Sequence, residues 1–134
     1  MKLLPVFVAL LCLPFVLSAQ NVQALKSIDP SEPDYENVDV VPLHSDSTSS
    51  TFIVFVKKTV AKHYHAHHTE QVVVLEGKGR MQMGDQEFIV KKGDYIIIPP
   101  GTHHAVQVIG RKPMKVLSIQ SPQFKGKDRI FVDK

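Results

Sequence analysis

The chain has 134 residues, 43% of them hydrophobic, with one cysteine and a formal net charge of +3. That length allows one domain of modest size, the single cysteine excludes a disulfide within the chain, and so small a charge gives no electrostatic footprint for nucleic acid.

Met1 and Lys2 precede a fifteen-residue apolar run, LLPVFVALLCLPFVL, followed by SAQ. A positive start, an apolar middle and small residues after it describe a secretory signal peptide, residues 1–19. Cleavage is expected after Ala19, with Ser18 and Ala24 as alternative positions. The run is shorter than the roughly 20 residues of a spanning helix and contains Pro5 and Pro14, so no membrane anchor is expected after cleavage. Leu11 stands before Cys12 where a lipoprotein signal has Gly or Ala, so no lipid anchor is expected there either. Removal of the leader leaves 115 residues with a net charge of +2 and no cysteine, in a secreted or periplasmic location. Thiolate metal sites and cysteine nucleophiles are thereby excluded. Stability must come from a core, a metal or association.

Residues 20–37 are polar, and DPSEPDYEN carries two prolines; the segment reads as an extended, poorly ordered lead-in. VDVVPLH then reads as a first short strand, opening a domain that runs over 38–134, and SDSTSS as a loop. From Thr51 onward come TFIVFV, EQVVVLE, RMQM, EFIV, YIII, AVQVI and MKVLSI, separated by the turn-formers GKG, GDQ, KKGD, PPGTH and GRKP. No stretch holds a period of 3.6. Seven or eight short strands at regular spacing predict an all-β sandwich or small barrel. Met81 and Met83, two apart on one strand, are expected in the core, as are Phe52, Tyr95 and Ile97. KGKDRIFVDK, which mixes both charges, is expected to be a solvated tail.

Six of the seven histidines fall in two clusters: HYHAHHTEQ at 63–71 and THH at 102–104. Residues two apart on a strand share a face, so His63 and His65 present two imidazoles to one side, roughly 7 Å apart along the backbone. Glu70 has the opposite parity, so AHHT must be a turn or bulge and Glu70 must belong to the next strand. His104 follows the tight corner PPGTH. Imidazoles with a carboxylate suit Fe, Mn, Zn, Ni or Cu better than Ca or Mg. His65 with His67 is a rival pairing, and His103 is the rival to His104. His67 and His68 fall in the inferred turn and are expected mostly in solvent, and His44 on the surface. Tyr64, between two candidate ligands, should face the other side of its strand and pack there.

At these residues the sequence resembles the cupin superfamily. Its first motif, HxH, three or four residues, Glu, six residues and Gly, is matched by His63, His65, Glu70 and Gly77. Its second, Gly, five residues, Pro, one residue, Gly, two residues and His, is matched by Gly93, Pro99, Gly101 and His104, with fifteen residues between the motifs. The resemblance covers residues 51–121 and selects His63, His65, Glu70 and His104 over the rival pairings. Lys57 and Val108 depart from the family's usual Gly and Asn; neither position is a ligand in the family. The resemblance implies a double-stranded β-helix, or jelly-roll barrel, holding one divalent transition metal inside. Four protein ligands would leave two positions of a six-coordinate ion for water, O₂ or a chelating substrate oxygen. It also implies a homodimer. Cupins include dioxygenases, isomerases, lyases and decarboxylases as well as sugar-binding modules. The expectation is therefore an exported cupin acting on a small organic molecule, with a non-catalytic small-molecule or sugar-binding module as the alternative.

Overall fold

The computed structural model describes residues 22–132; the expected signal peptide lies outside them. The chain is built of strands, as the turn spacing predicts. In order they are β1 (Val38–Ser45), β2 (Ser50–Val56), β3 (Thr59–Tyr64), β4 (Thr69–Glu76), β5 (Lys78–Met83), β6 (Gln86–Lys91), β7 (Tyr95–Ile98), β8 (His104–Val108), β9 (Met114–Ser121) and the two-residue β10 (Ile130–Phe131). One sheet has the order β1-β2-β9-β4-β7 and the other β10-β3-β8-β5-β6. All pairings are antiparallel. The two sheets face each other as a jelly roll.

Alternation along each strand decides what lies between the sheets. On β2, Val54 and Val56 point inward, while Ile53 and Phe55 point outward into a second cluster with Ile28, Leu25 and Tyr35. TFIVFV is apolar throughout because both of its faces are covered. The inner cluster contains Val56, Val74, Met81, Val90, Ile96, Ile98 and Met114. Met81 is buried as expected, and Met83 packs beside the cluster. Tyr95 and Ile97, expected in the core, are instead 55% and 52% exposed. They occupy the outward parity of β7, an edge strand, while Ile96 and Ile98 take the inward one.

Two segments depart from expectation. The lead-in forms a 3₁₀ turn at Leu25–Ser27, and Ile28 is only 5% exposed. Lys115 Nζ donates to the carbonyl of Ile28 at 2.6 Å, tying the lead-in to β9. Leu25, Ile28 and Tyr35 of the segment pack against the outer face of β2, while most of its other described residues are exposed. The C-terminal segment is not a solvated tail: Asp128 is buried, and β10 pairs with β3, Ile130 opposite Tyr64 and Phe131 opposite His63. Its charged residues hid that pairing. Gly77, at φ 79°, carries the chain from β4 into β5, and a Cβ there would stand 2.6 Å from the carbonyl oxygen of Pro113. No side chain fits at that crossing.

Candidate metal centre

Three imidazoles and a carboxylate meet between the sheets. His63 is on β3, His65 lies just beyond its end, and His104 opens β8 directly opposite His63. Glu70 comes from the other sheet, on β4, opposite Gln120 of β9. Residues 65–68 break the strand, so Glu70 enters on a new one with inward parity. One ligand atom from each of the four residues lies within 4.8 Å of all the others. The histidines are at most 4% exposed.

Backbone carbonyls set the tautomers. Nδ1 of His63 faces the carbonyl of Ala61 at 2.8 Å, and that of His104 the carbonyl of Thr102 at 2.9 Å. Nδ1 of His65 faces the carbonyl of Asp128. A carbonyl can only accept, so each Nδ1 donates its proton and each neutral ring turns an Nε2 lone pair to the centre. Oε2 of Glu70 lies 3.4 Å from Nε2 of His65 and 3.3 Å from that of His104, yet neither nitrogen has a hydrogen-bond partner. Buried lone pairs facing a carboxylate repel one another unless a cation lies between them. The donor set therefore fits a divalent transition ion.

The electrostatics differ from ring to ring. Burial and the neighbouring His104 lower the pKa of His63 to about 4, which keeps it neutral at pH 7. Burial also lowers His65, but the neighbouring Glu70 carboxylate and the Asp128 carbonyl outweigh it, and the net shift is upward. Burial would raise Glu70; its contacts with His104, His65 and Ser118 instead hold it well below the usual carboxylate range. Ser118 Oγ donates to Oε1 of Glu70 at 2.5 Å, leaving Oε2 to face the histidines.

The rival histidines separate. His103 stacks on Tyr64, with ring centroids 4.9 Å apart, outside the cluster. His67 is exposed, and so is His44. His68, expected in solvent, is 6% exposed. Its Nδ1 pairs with the Asp128 carboxylate and its Nε2 lies 3.0 Å from the Gln123 carbonyl. Asp128 also accepts from the amides of Ala66 and His67, each at 2.9 Å. Burial opposes ionisation of Asp128, but the His67 amide, the His68 side chain and the Ala66 amide lower its pKa to about 2.

Sequence reasoning missed Ser118, Gln120 and Asp128. The first two carry a legible signal, polar residues at inward parity in the otherwise apolar MKVLSIQS. Asp128 carries none, since an acid among lysines reads as solvent-facing. Behind the four residues lies a cavity of about 90 Å³, walled largely by aliphatic side chains, with Arg129 the remaining charged group in its lining.

The family model described as Cupin domain matches residues 41–120. An uncharacterised protein of Aquifex aeolicus is 33% identical over 102 residues, spanning 76% of this chain and 84% of that protein. The mannose-1-phosphate guanylyltransferase RfbM of Salmonella typhimurium is 38% identical over 75 residues, 56% of this chain but only 15% of the enzyme. A crystal structure from Klebsiella pneumoniae, of an uncharacterised conserved protein with a double-stranded β-helix domain, superposes with a TM-score of 0.71 at 18% identity, covering 86% of this chain and 99% of that one. Solved proteins of similar fold include the nucleoside dehydratase Pac13 and an oxalate decarboxylase, at 15% and 23% identity.

Proposed function

This chain belongs to the cupin family, and from that premise we propose that it is an exported cupin that holds one divalent transition metal on His63, His65, Glu70 and His104 and acts on a small organic molecule there. One observation carries the proposal: three carbonyl-fixed imidazoles and the Glu70 carboxylate bring one ligand atom each within 4.8 Å of one another in a buried site, where the Nε2 atoms of His65 and His104 face the same carboxylate oxygen without a hydrogen-bond partner. Bound there, the ion supplies Lewis-acid or redox chemistry of the oxygenase, isomerase or lyase type. The residues around it do the rest. Ser118 orients Glu70, the carbonyls orient the imidazoles, and the aliphatic walls exclude water and receive the apolar part of a ligand. Enzymes of the same fold, the dehydratase and the decarboxylase, support small-molecule chemistry. A homodimer through the exposed Tyr95 and Ile97 face belongs to the same proposal. The second reading, a non-catalytic binding module, draws on the cavity lining, which among the described residues offers no acid or base beyond His63, Glu70, His104 and Arg129.

Elemental mass spectrometry of the untagged protein, beside a His63→Ala/His104→Ala double variant, tests the metal. The expected result is near-stoichiometric metal in the wild type and its loss in the variant. A wild type that takes up no metal after reconstitution would overturn the assignment.

A further inference from the structure

We infer that Arg129 makes this cavity selective for a small carboxylate with an apolar tail; the inference rests on the metal proposal and names the ligand class of the same site.

The pairing of β10 with β3 places Arg129. Phe131 is opposite His63 and Ile130 opposite Tyr64. One step further along the antiparallel pair brings residue 129 level with His65. Directly opposed residues share a face, and residues two apart on one strand do so as well. Arg129 and Phe131 therefore take the inward parity of His63 and His65. The Phe131 ring lies 5.8 Å from that of His63, and Arg129 lines the cavity beside His63, Glu70 and His104. Its positive charge weighs against protonation of both His63 and His65. The backbone at this point is held by Asp128, which binds His68 and the amides of Ala66 and His67. The Arg129 side chain is itself exposed, so it stands at the mouth with access to an incoming ligand.

Charge and shape then decide the ligand. A divalent ion with Glu70 and three neutral imidazoles carries a net charge of +1, and Arg129 adds another. Among the described residues, no acidic side chain lies within ion-pair distance of Arg129. A neutral ligand leaves a net charge of +2; a carboxylate lowers it to +1 and can meet both groups, one oxygen toward the ion and the other toward the guanidinium. The deeper walls, including Val54, Val72, Met81, Ile96 and Val106, offer nothing to a polar tail. The volume, about 90 Å³, equals several water positions at roughly 10–15 Å³ each. It admits a short aliphatic chain.

The test uses the full protein reconstituted with cobalt(II). Its visible absorption and calorimetric heat are followed during titration with butanoate and, separately, with uncharged butanamide. Butanoate is expected to perturb the cobalt spectrum and to bind at least ~10-fold more tightly than the amide. Arg129→Ala should weaken butanoate ~10-fold and leave butanamide unchanged, while Arg129→Lys should stay within ~3-fold of wild type. Equal affinity of acid and amide, or of wild type and Arg129→Ala for butanoate, overturns the inference. Failure to take up cobalt overturns the metal proposal instead. Butanoate calorimetry on the metal-free wild type and Arg129→Ala then decides Arg129 by itself: binding weakened by the substitution sustains it, and equal or absent binding overturns it.

Discussion

Glu70 uses its two oxygens differently. Oε1 accepts from Ser118, and Oε2 is left toward His65 and His104. Without the serine hydroxyl the carboxylate can rotate, and the buried Oε1 loses its donor. Groups that orient a metal ligand typically account for 10–100-fold in affinity. Ser118→Ala should therefore bind metal about 10-fold or more weakly while remaining folded. Competition with a chromophoric chelator measures the first, and far-UV circular dichroism the second. Unchanged affinity would mean that the packing of β4 and β9 alone positions Glu70.

The C-terminal segment acts as a strap across the mouth of the barrel. Its hold is concentrated at Asp128, whose carboxylate takes the Ala66 and His67 amides and the His68 ring, and whose carbonyl faces His65. Phe124 adds ring contacts with His65 and His68 at 6.2 and 5.6 Å. Removing the carboxylate leaves buried donors without partners, at a cost of about 1–3 kcal/mol each when unsatisfied. Asp128→Ala should therefore lower stability by a few kcal/mol by that estimate. It should also raise hydrogen exchange in residues 64–68 and 122–131 before the rest of the barrel. Exchange that rises evenly over all strands would argue against a locally anchored strap.

At the scale of the molecule the site lies on the seam between two sheets. The histidines belong to the β3/β8 side and Glu70 to the β4/β9 side. An ion bound there cross-links the sheets, and binding to the folded state alone adds about 4 kcal/mol when the metal is at a thousand times its Kd. For a domain of this size that corresponds to a Tm shift on the order of 10 °C or more. Scanning calorimetry with and without chelator should show that drop in the wild type and none in His104→Ala. A wild-type Tm insensitive to chelation would separate the fold's stability from the metal.

Period-two alternation and regular Gly/Pro punctuation were enough to determine an all-β sandwich, because side-chain direction on a strand follows from backbone geometry. The spacing of His63, His65, Glu70, Gly77 and His104 nominated the cluster through its match to the cupin motifs, whereas strand geometry alone left His67 and His103 as rivals. What required the tertiary structure was everything that depends on a partner distant in sequence. Ser118 and Gln120 lie about 50 residues from Glu70, and Asp128 about 60 from the loop it anchors. Tyr95 and Ile97 take the outward parity of β7, and Leu25, Ile28 and Tyr35 of the lead-in cover the outer face of β2. Composition made the lead-in and the tail look solvated, since polar residues suit water when taken one at a time. Only closure of the barrel decided that Asp128 is buried with donors waiting for it, and that the exposed Arg129 lines the cavity.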